Sequence, residues 1–363
     1  MRWNDLLGAS LPSNLCSFVF YGMKYPGGAD EIFEGYVDPG SPFDNFQRFI
    51  DQIRRPDLNL GIVVPYMIAE SLEPRLRQQE GREAFNRYWD KGFKNYAVLD
   101  IDVTPFSFES YFTDMKSFIS AVRSMQSRPL TTFFIGLKLN FVIDSIGSSE
   151  ISVAQSLIND IKPDGVLFLP TFRTLFSRSN CRLTGSSVWK NSPIVDQPTF
   201  EHSLQLMLYL TFPPNTIKLL SFSMAGRSSQ VKWKKAWDLR SKCSWTTMST
   251  PSSYVCPGGA DYKDFKGNKP SPNRKLNKEW MEYMVKHGER LHIYEWDDSM
   301  INKICWAYKL YGFQDGWVFF DFTHDAMNSC ARRGAQHYGS ILNVKDHLRS
   351  RKALCKNVQL PSP

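Results

Sequence analysis

Seven short apolar runs, rich in β-branched and aromatic residues and spaced by amphipathic segments, limit this 363-residue chain to a small set of folds. They are Leu15–Tyr21, Leu60–Tyr66, Tyr96–Val103, Thr131–Leu139, Gly165–Leu169, Ile217–Met224 and Trp317–Phe322. Each is apolar nearly throughout, the pattern of strands in a parallel sheet covered on both faces. Helical patterns fall between them. In Pro42–Ile53 the apolar residues Phe43, Phe46, Phe49, Ile50 and Ile53 recur at helical spacing. Pro74–Asp90 is charged and amphipathic, and Phe108–Met125 follows Ser107, a side chain suited to capping a helix N-terminus. Val153–Ile161, Phe200–Tyr209 and Ser299–Tyr311 continue the series. Such alternation admits a (β/α)8 barrel or a doubly wound sheet. Seven strands are one short of a closed barrel.

Residues 228–295 break the rhythm with Lys, Ser, Pro, Gly and Trp and weak periodicity, and read as an inserted subdomain before the last strand. The division predicted is 1–227 with 296–349 as the main domain, 228–295 as the insert, and 350–363 as a mobile tail. Lys plus Arg exceeds Asp plus Glu by 44 − 36 = +8. Much of that excess lies in Lys232–Lys235 and Asn268–Lys278, which read as solvated surface and not as a nucleic-acid site. Trp189, Trp245, Trp280 and Trp296 fit either ring stacking on a sugar or core packing of the insert.

Met1–Asn14 has no apolar core and is interrupted by Asp5, so it does not read as a signal peptide. No run of about 18 apolar residues exists, and no membrane partner is expected. The seven cysteines, at 16, 181, 243, 256, 305, 330 and 355, show no CxxC and no Cys/His zinc spacing. Neither a metal nor a cofactor is called for. An odd number leaves one cysteine without a partner inside the chain.

The stretch richest in chemistry is Gly92–Pro105, GFKNYAVLDIDVTP. An apolar strand ends there in Asp100 and Asp102, which simple alternation puts on one face. Two carboxylates at the C-terminal end of a barrel strand stand where barrel enzymes place catalytic groups, and each perturbs the other's acidity. The alternative is one buried structural acid and one capping acid. His324 and Asp325 have no Ser or Cys nucleophile motif beside them and read as loop residues.

At these residues the chain resembles glycoside hydrolase family 18, the chitinases and chitinase-like proteins, whose fourth strand ends in D-G-x-D-x-D-x-E. Asp100 and Asp102 match the second and third acids, Ala97 and Val98 replace the first Asp and the Gly, and Thr104 occupies the place of the catalytic Glu. Leu15–Tyr21 is similar to the family's L-C-T-H-x-x-Y strand, and Lys218–Arg227 to its seventh-strand motif. Tyr254-Val255-Cys256, Ile293–Asp298 and Gly316–Cys330 resemble elements of its α+β insert and eighth strand. The resemblance runs from about Leu15 to about Leu348.

It implies a (β/α)8 TIM barrel with an α+β insertion before the last strand, and a first strand encoded upstream of Met1. It also implies substrate-assisted hydrolysis, in which the sugar's acetamide attacks the anomeric carbon while the Glu protonates the leaving oxygen. Thr104 has no usable proton for that step, so the site Asp100, Asp102 and Thr104 is expected to be vestigial. The substrate-binding positions implied are Tyr21, Tyr66, Phe172, Met224 and Phe320, with Ala225 and Phe320 standing for a family Tyr and Trp. A Cys256–Cys330 bridge and an extracellular location are implied as well. The expected function is an inactive chitinase-like protein that binds chitin, N-acetylglucosamine-type glycans or a protein partner. The competing readings are an active hydrolase with its acid moved to Glu109 or Asp114, and an interaction module with no glycan site.

Overall fold

The structure is a computed structural model that describes residues 16–22, 48, 51, 58–103, 105–125, 132–138, 148–170, 181, 183, 185–190, 198–231, 242–249, 275–287, 289–320, 339–349 and 355–360. Most of the helix expected at Pro42–Ile53 lies outside them, as do Thr104, Phe172, Cys256, Cys330, His324 and Asp325.

All seven expected strands form. They are β1 (Phe18–Gly22), β2 (Asn59–Pro65), β3 (Phe93–Asp102), β4 (Phe133–Lys138), β5 (Gly165–Phe168), β6 (Ile217–Ser223) and, last in the chain, β12 (Gly316–Phe320), hydrogen-bonded in that order in one sheet. Pairs β1–β2, β2–β3, β3–β4 and β4–β5 are parallel. Helices alternate with them: α1 (Ala69–Arg77), α2 (Gln79–Asp90), α3 (Pro105–Met125), α4 (Ser148–Ile161), α5 (Phe200–Tyr209), α6 (Asp297–Tyr311) and α7 (Gly339–Arg349). This is a partial (β/α)8 barrel. Chain contacts divide it into two compact units: Met1–Lys138 with Gly147–Phe168 and Tyr209–Leu219, and Leu139–Ile146 with Leu169–Leu208 and Leu220–Pro363.

In the first unit the side chains show which face of the sheet is interior. Phe18 and Phe20 on β1 meet Phe134 on β4 edge-on, with ring centroids 5.3 and 5.5 Å apart. Two strands lie between β1 and β4, so these rings meet only because the sheet curls around them. A Cβ on Gly61 would sit 2.3 Å from the Phe20 ring, so that strand position has room for no side chain. The other face packs on helices. Tyr96 of β3 stacks on Phe85 of α2 at 6.0 Å, and Phe85 meets Phe118 of α3 at 6.3 Å.

Helix α3 begins at Pro105, so Ser107 lies inside it and is not the cap. Proline opens a helix readily because its φ is preset and the missing N–H would have no intrahelical acceptor there. The segment that looked aperiodic holds a five-stranded sheet ordered β8 (Cys243–Ser249), β7 (Gly226–Val231), β11 (Arg290–Tyr294), β10 (Glu282–His287), β9 (Lys275–Asn277). Neighbouring strands in it pair antiparallel. Buried polar residues (Ser228, Ser229, Glu282 and His292) interrupt the alternation that would have revealed these strands.

Residues 355–360, within the tail expected to be mobile, are fastened. Cys355 is disulfide-bonded to Cys305 of α6. The Trp306 indole donates to Gln359 O at 2.7 Å, and the Lys309 ammonium to Val358 O at 2.8 Å. A second bridge, Cys181–Cys243, joins the segment after β5 to β8, and Cys16 lies outside both. Nothing in the spacing of these four cysteines announces either bridge.

Candidate functional site

The candidate site in the first unit is the C-terminal end of β3. Regular alternation from Tyr96 and Val98 would turn Asp100 and Asp102 toward the helices. The strand avoids this with an extra residue. Val98 pairs with Ile135 and Ile101 with Leu137, three residues against two. Asp100 takes up the irregularity at φ 62°, a left-handed conformation that Asp tolerates better than most residues. Beyond this bulge Ile101 inherits the helix-facing side and is buried, while Asp102 pairs with Lys138 on the side of Ala97 and Phe134, the interior. The two acids therefore do not reach their place by simple alternation. Both are partly exposed.

Lys138 is a residue the sequence reading passed over. It ends β4, is partly exposed, and stands directly across from Asp102. A lysine closing the otherwise apolar Thr131–Leu139 run was the available signal. Tyr66 begins a short 3-10 turn at the end of β2 and is half-buried. Tyr21 lies elsewhere: it pairs with Ile62, alternates away from Phe20 and is buried, on the helix-facing side. Glu109 and Asp114 fall in α3, after the strand.

A second candidate site lies within the other unit, at the ends of β6 and β12. Trp317 and Phe319 stack on Phe222, which packs on Phe200 of α5. Phe320, next along β12, alternates to the opposite face and is half-buried. Its carbonyl accepts from the N–H of Met224 at 2.9 Å. Met224 is itself buried.

Beneath these residues lies a buried charged cluster. Glu282 Oε1 accepts from the backbone N–H groups of Ser186 and Ser187 at 2.9 and 2.7 Å. The Ser187 hydroxyl oxygen accepts from Ser223 N at 3.1 Å, and the Ser186 hydroxyl donates to Ala225 O at 2.9 Å. Lys303 of α6 donates to Ser187 O and to Glu295, while Ser299 donates to the other Glu295 oxygen at 2.6 Å. Glu282, Lys303 and the Glu295 side chain are wholly buried. Burial pushes the Glu295 carboxyl up to about 8, a rise that Lys303 only partly opposes. Glu282 is raised by the same cause, against the opposing charges of Lys303 and Arg227.

The tryptophans divide accordingly. Trp189 and Trp280 are buried in the core and joined by a hydrogen bond from Trp189 N to Trp280 O at 3.1 Å. Trp280 packs the insert, Trp189 packs on Phe200 of α5 and Trp306 of α6, and neither is available to a ligand. Among the described residues no group of three or more His, Cys, Asp or Glu could hold a metal ion.

No protein-family model and no curated protein matches the sequence. Solved structures do match. Human YKL-39, described as a pseudo-chitinase that retains chitooligosaccharide binding, superposes with a TM-score of 0.62 at 11% identity over 93% of each chain. The chain has the fold of the family 18 chitinases and chitinase-like proteins. The Ostrinia furnacalis Group IV chitinase shares this family 18 fold at a TM-score of 0.63, with 10% identity over 96% of this chain and 94% of that one. The chitinase-like agglutinin of Robinia pseudoacacia does so at 0.57, with 10% identity over 95% and 96%. At such identities the family 18 likeness speaks for the fold, and function has to be argued from the site.

Proposed function

We propose that this chain is a chitinase-like protein that binds N-acetylated glycans of the chitin type without hydrolysing them. One observation carries the reading. The acidic strand end is kept, with Asp102 turned inward by the bulge at Asp100, while the position matching the general acid holds Thr104. A threonine hydroxyl is far too weak an acid to protonate a departing sugar oxygen near neutral pH. General-acid assistance is worth about 10²–10⁴ in rate, and that contribution is absent. Asp102 can still accept a hydrogen bond from an acetamide N–H, and Phe320 offers an aromatic face for a sugar ring. The neighbours that bind chitooligosaccharide or act as agglutinins support the binding half of the proposal.

The two disulfides favour an oxidising, extracellular setting. Among the described residues no helix is long and apolar enough to cross a membrane.

The test pairs equilibrium titration with tetra-N-acetylchitotetraose and turnover of a chromogenic N-acetylglucosamine oligomer. Binding that weakens in Asp102→Asn and in Phe320→Ala, with no turnover above background, is expected. Turnover by the unmodified chain overturns the inactive reading. Absence of binding overturns the glycan reading in favour of a protein partner.

A further inference from the structure

We propose that Glu282 is a positioning residue for this glycan site: through Ser186 and Ser187 it fixes the C-terminal ends of β6 and β12, and so the ring of Phe320. The inference rests on the glycan-binding reading.

The geometry is a chain of short contacts leading from an insert strand to the sheet end. The Glu282 carboxylate, fully buried at the start of β10, gathers two consecutive backbone N–H groups with one oxygen. Its other oxygen lies against Gly185, where a Cβ would be 1.3 Å away, so only glycine lets the carboxylate in. Lys303 holds Ser187 O from the opposite side. The loop, held at both its N–H groups and a carbonyl, in turn holds the sheet end. Ser187 takes the N–H of Ser223, and Ser186 binds the carbonyl of Ala225. Met224, between them, donates to Phe320 O on the other side. Three consecutive residues are thus tied alternately to the loop and to β12. At the end of β6 the loop supplies the partners for Ser223 N and Ala225 O.

A carboxylate is suited to this position because charge-assisted bonds to two amides are shorter and stronger than neutral ones, and burial spares them competition from water. A residue serving only stability would loosen the whole unit when altered. One that positions Phe320 loosens a few amides and weakens the sugar.

The experiment measures backbone hydrogen exchange and chitotetraose affinity on the full chain. In Ser187→Ala, which leaves both charges in place, exchange at Ser223 and Met224 should rise about tenfold, the worth of one hydrogen bond. Affinity should fall by a similar factor. Glu282→Ala should do more to both. Glu282→Gln, whose amide oxygen can accept the same two bonds, should restore affinity toward the unmodified value. Phe320→Ala should lose affinity with exchange at Ser223 unchanged. Unaltered exchange at Ser223 and Met224 in Ser187→Ala overturns the clamp. Faster exchange with unchanged affinity overturns its role in binding, as does a uniform rise across the unit. An unmodified chain that binds no chitotetraose overturns the glycan reading itself; local exchange in Ser187→Ala then still decides whether Glu282 holds the sheet end.

Discussion

At the scale of single residues, two backbone positions show how narrowly side chains are chosen. Asp100 sits at φ 62°, where a β-branched residue is strongly disfavoured. Asp100→Val should cost about 2 kcal/mol and Asp100→Gly almost nothing, read as urea midpoints at equal slope. Gly185 stands against the Glu282 carboxylate. Gly185→Ala should destabilise by about 3 kcal/mol through overpacking. Combined with Glu282→Ala the penalty should shrink by well over 1 kcal/mol, since the pair is in contact. Neither position was legible beforehand. The sequence shows an Asp in a strand and a Gly in a loop, but not the register shift or the distant carboxylate that makes each one necessary.

At the scale of elements, the seven strands were legible because each is apolar on both faces, and burial on both faces is what a covered parallel sheet requires. The family motif at Asp100 and Asp102 directed attention to the end of β3. The means of facing it inward stayed hidden, since alternation alone gives the opposite side for Asp102. The insert was legible only as an interruption. Its strands carry Ser228, Ser229, Glu282 and His292 inside, and a hydrophobic pattern has no entry for polar residues that find their partners across the chain. The cysteines were silent for a similar reason: Cys305 and Cys355 are 50 residues apart, and spacing does not encode pairing. That bridge closes a long loop, so Cys355→Ser should lower stability by about 3–4 kcal/mol in the chain-entropy view. Limited proteolysis at Lys356 should then be faster in the variant than in the unmodified chain.

At the scale of the whole molecule, the buried acids make stability depend on pH. Glu295 keeps its proton in the folded state up to about 8, whereas the unfolded chain releases it near its ordinary value of 4.5. Between these values the folded state holds more protons, so stability should be greatest below pH 4.5 with respect to this group and decline as pH rises to 8. Melting temperatures taken from pH 5 to 8 should fall, and the slope should flatten in Glu295→Gln. The cluster has a second consequence, for the order in which the molecule is made. Ser187 meets its partner Lys303 across a sequence separation of 116 residues. At about 5–20 residues per second, a ribosome takes roughly 6–23 s to supply that lysine after the serine. Through most of that interval the loop that braces β6 has been synthesised without Glu282, and until its end without Lys303, so the nascent chain must carry Gly185–Val188 before its full set of charges exists. Folding of this half of the protein is therefore timed by translation of α6, and a synonymous pause placed between β10 and α6 should lengthen the exposure of the loop to chaperones and proteases in proportion.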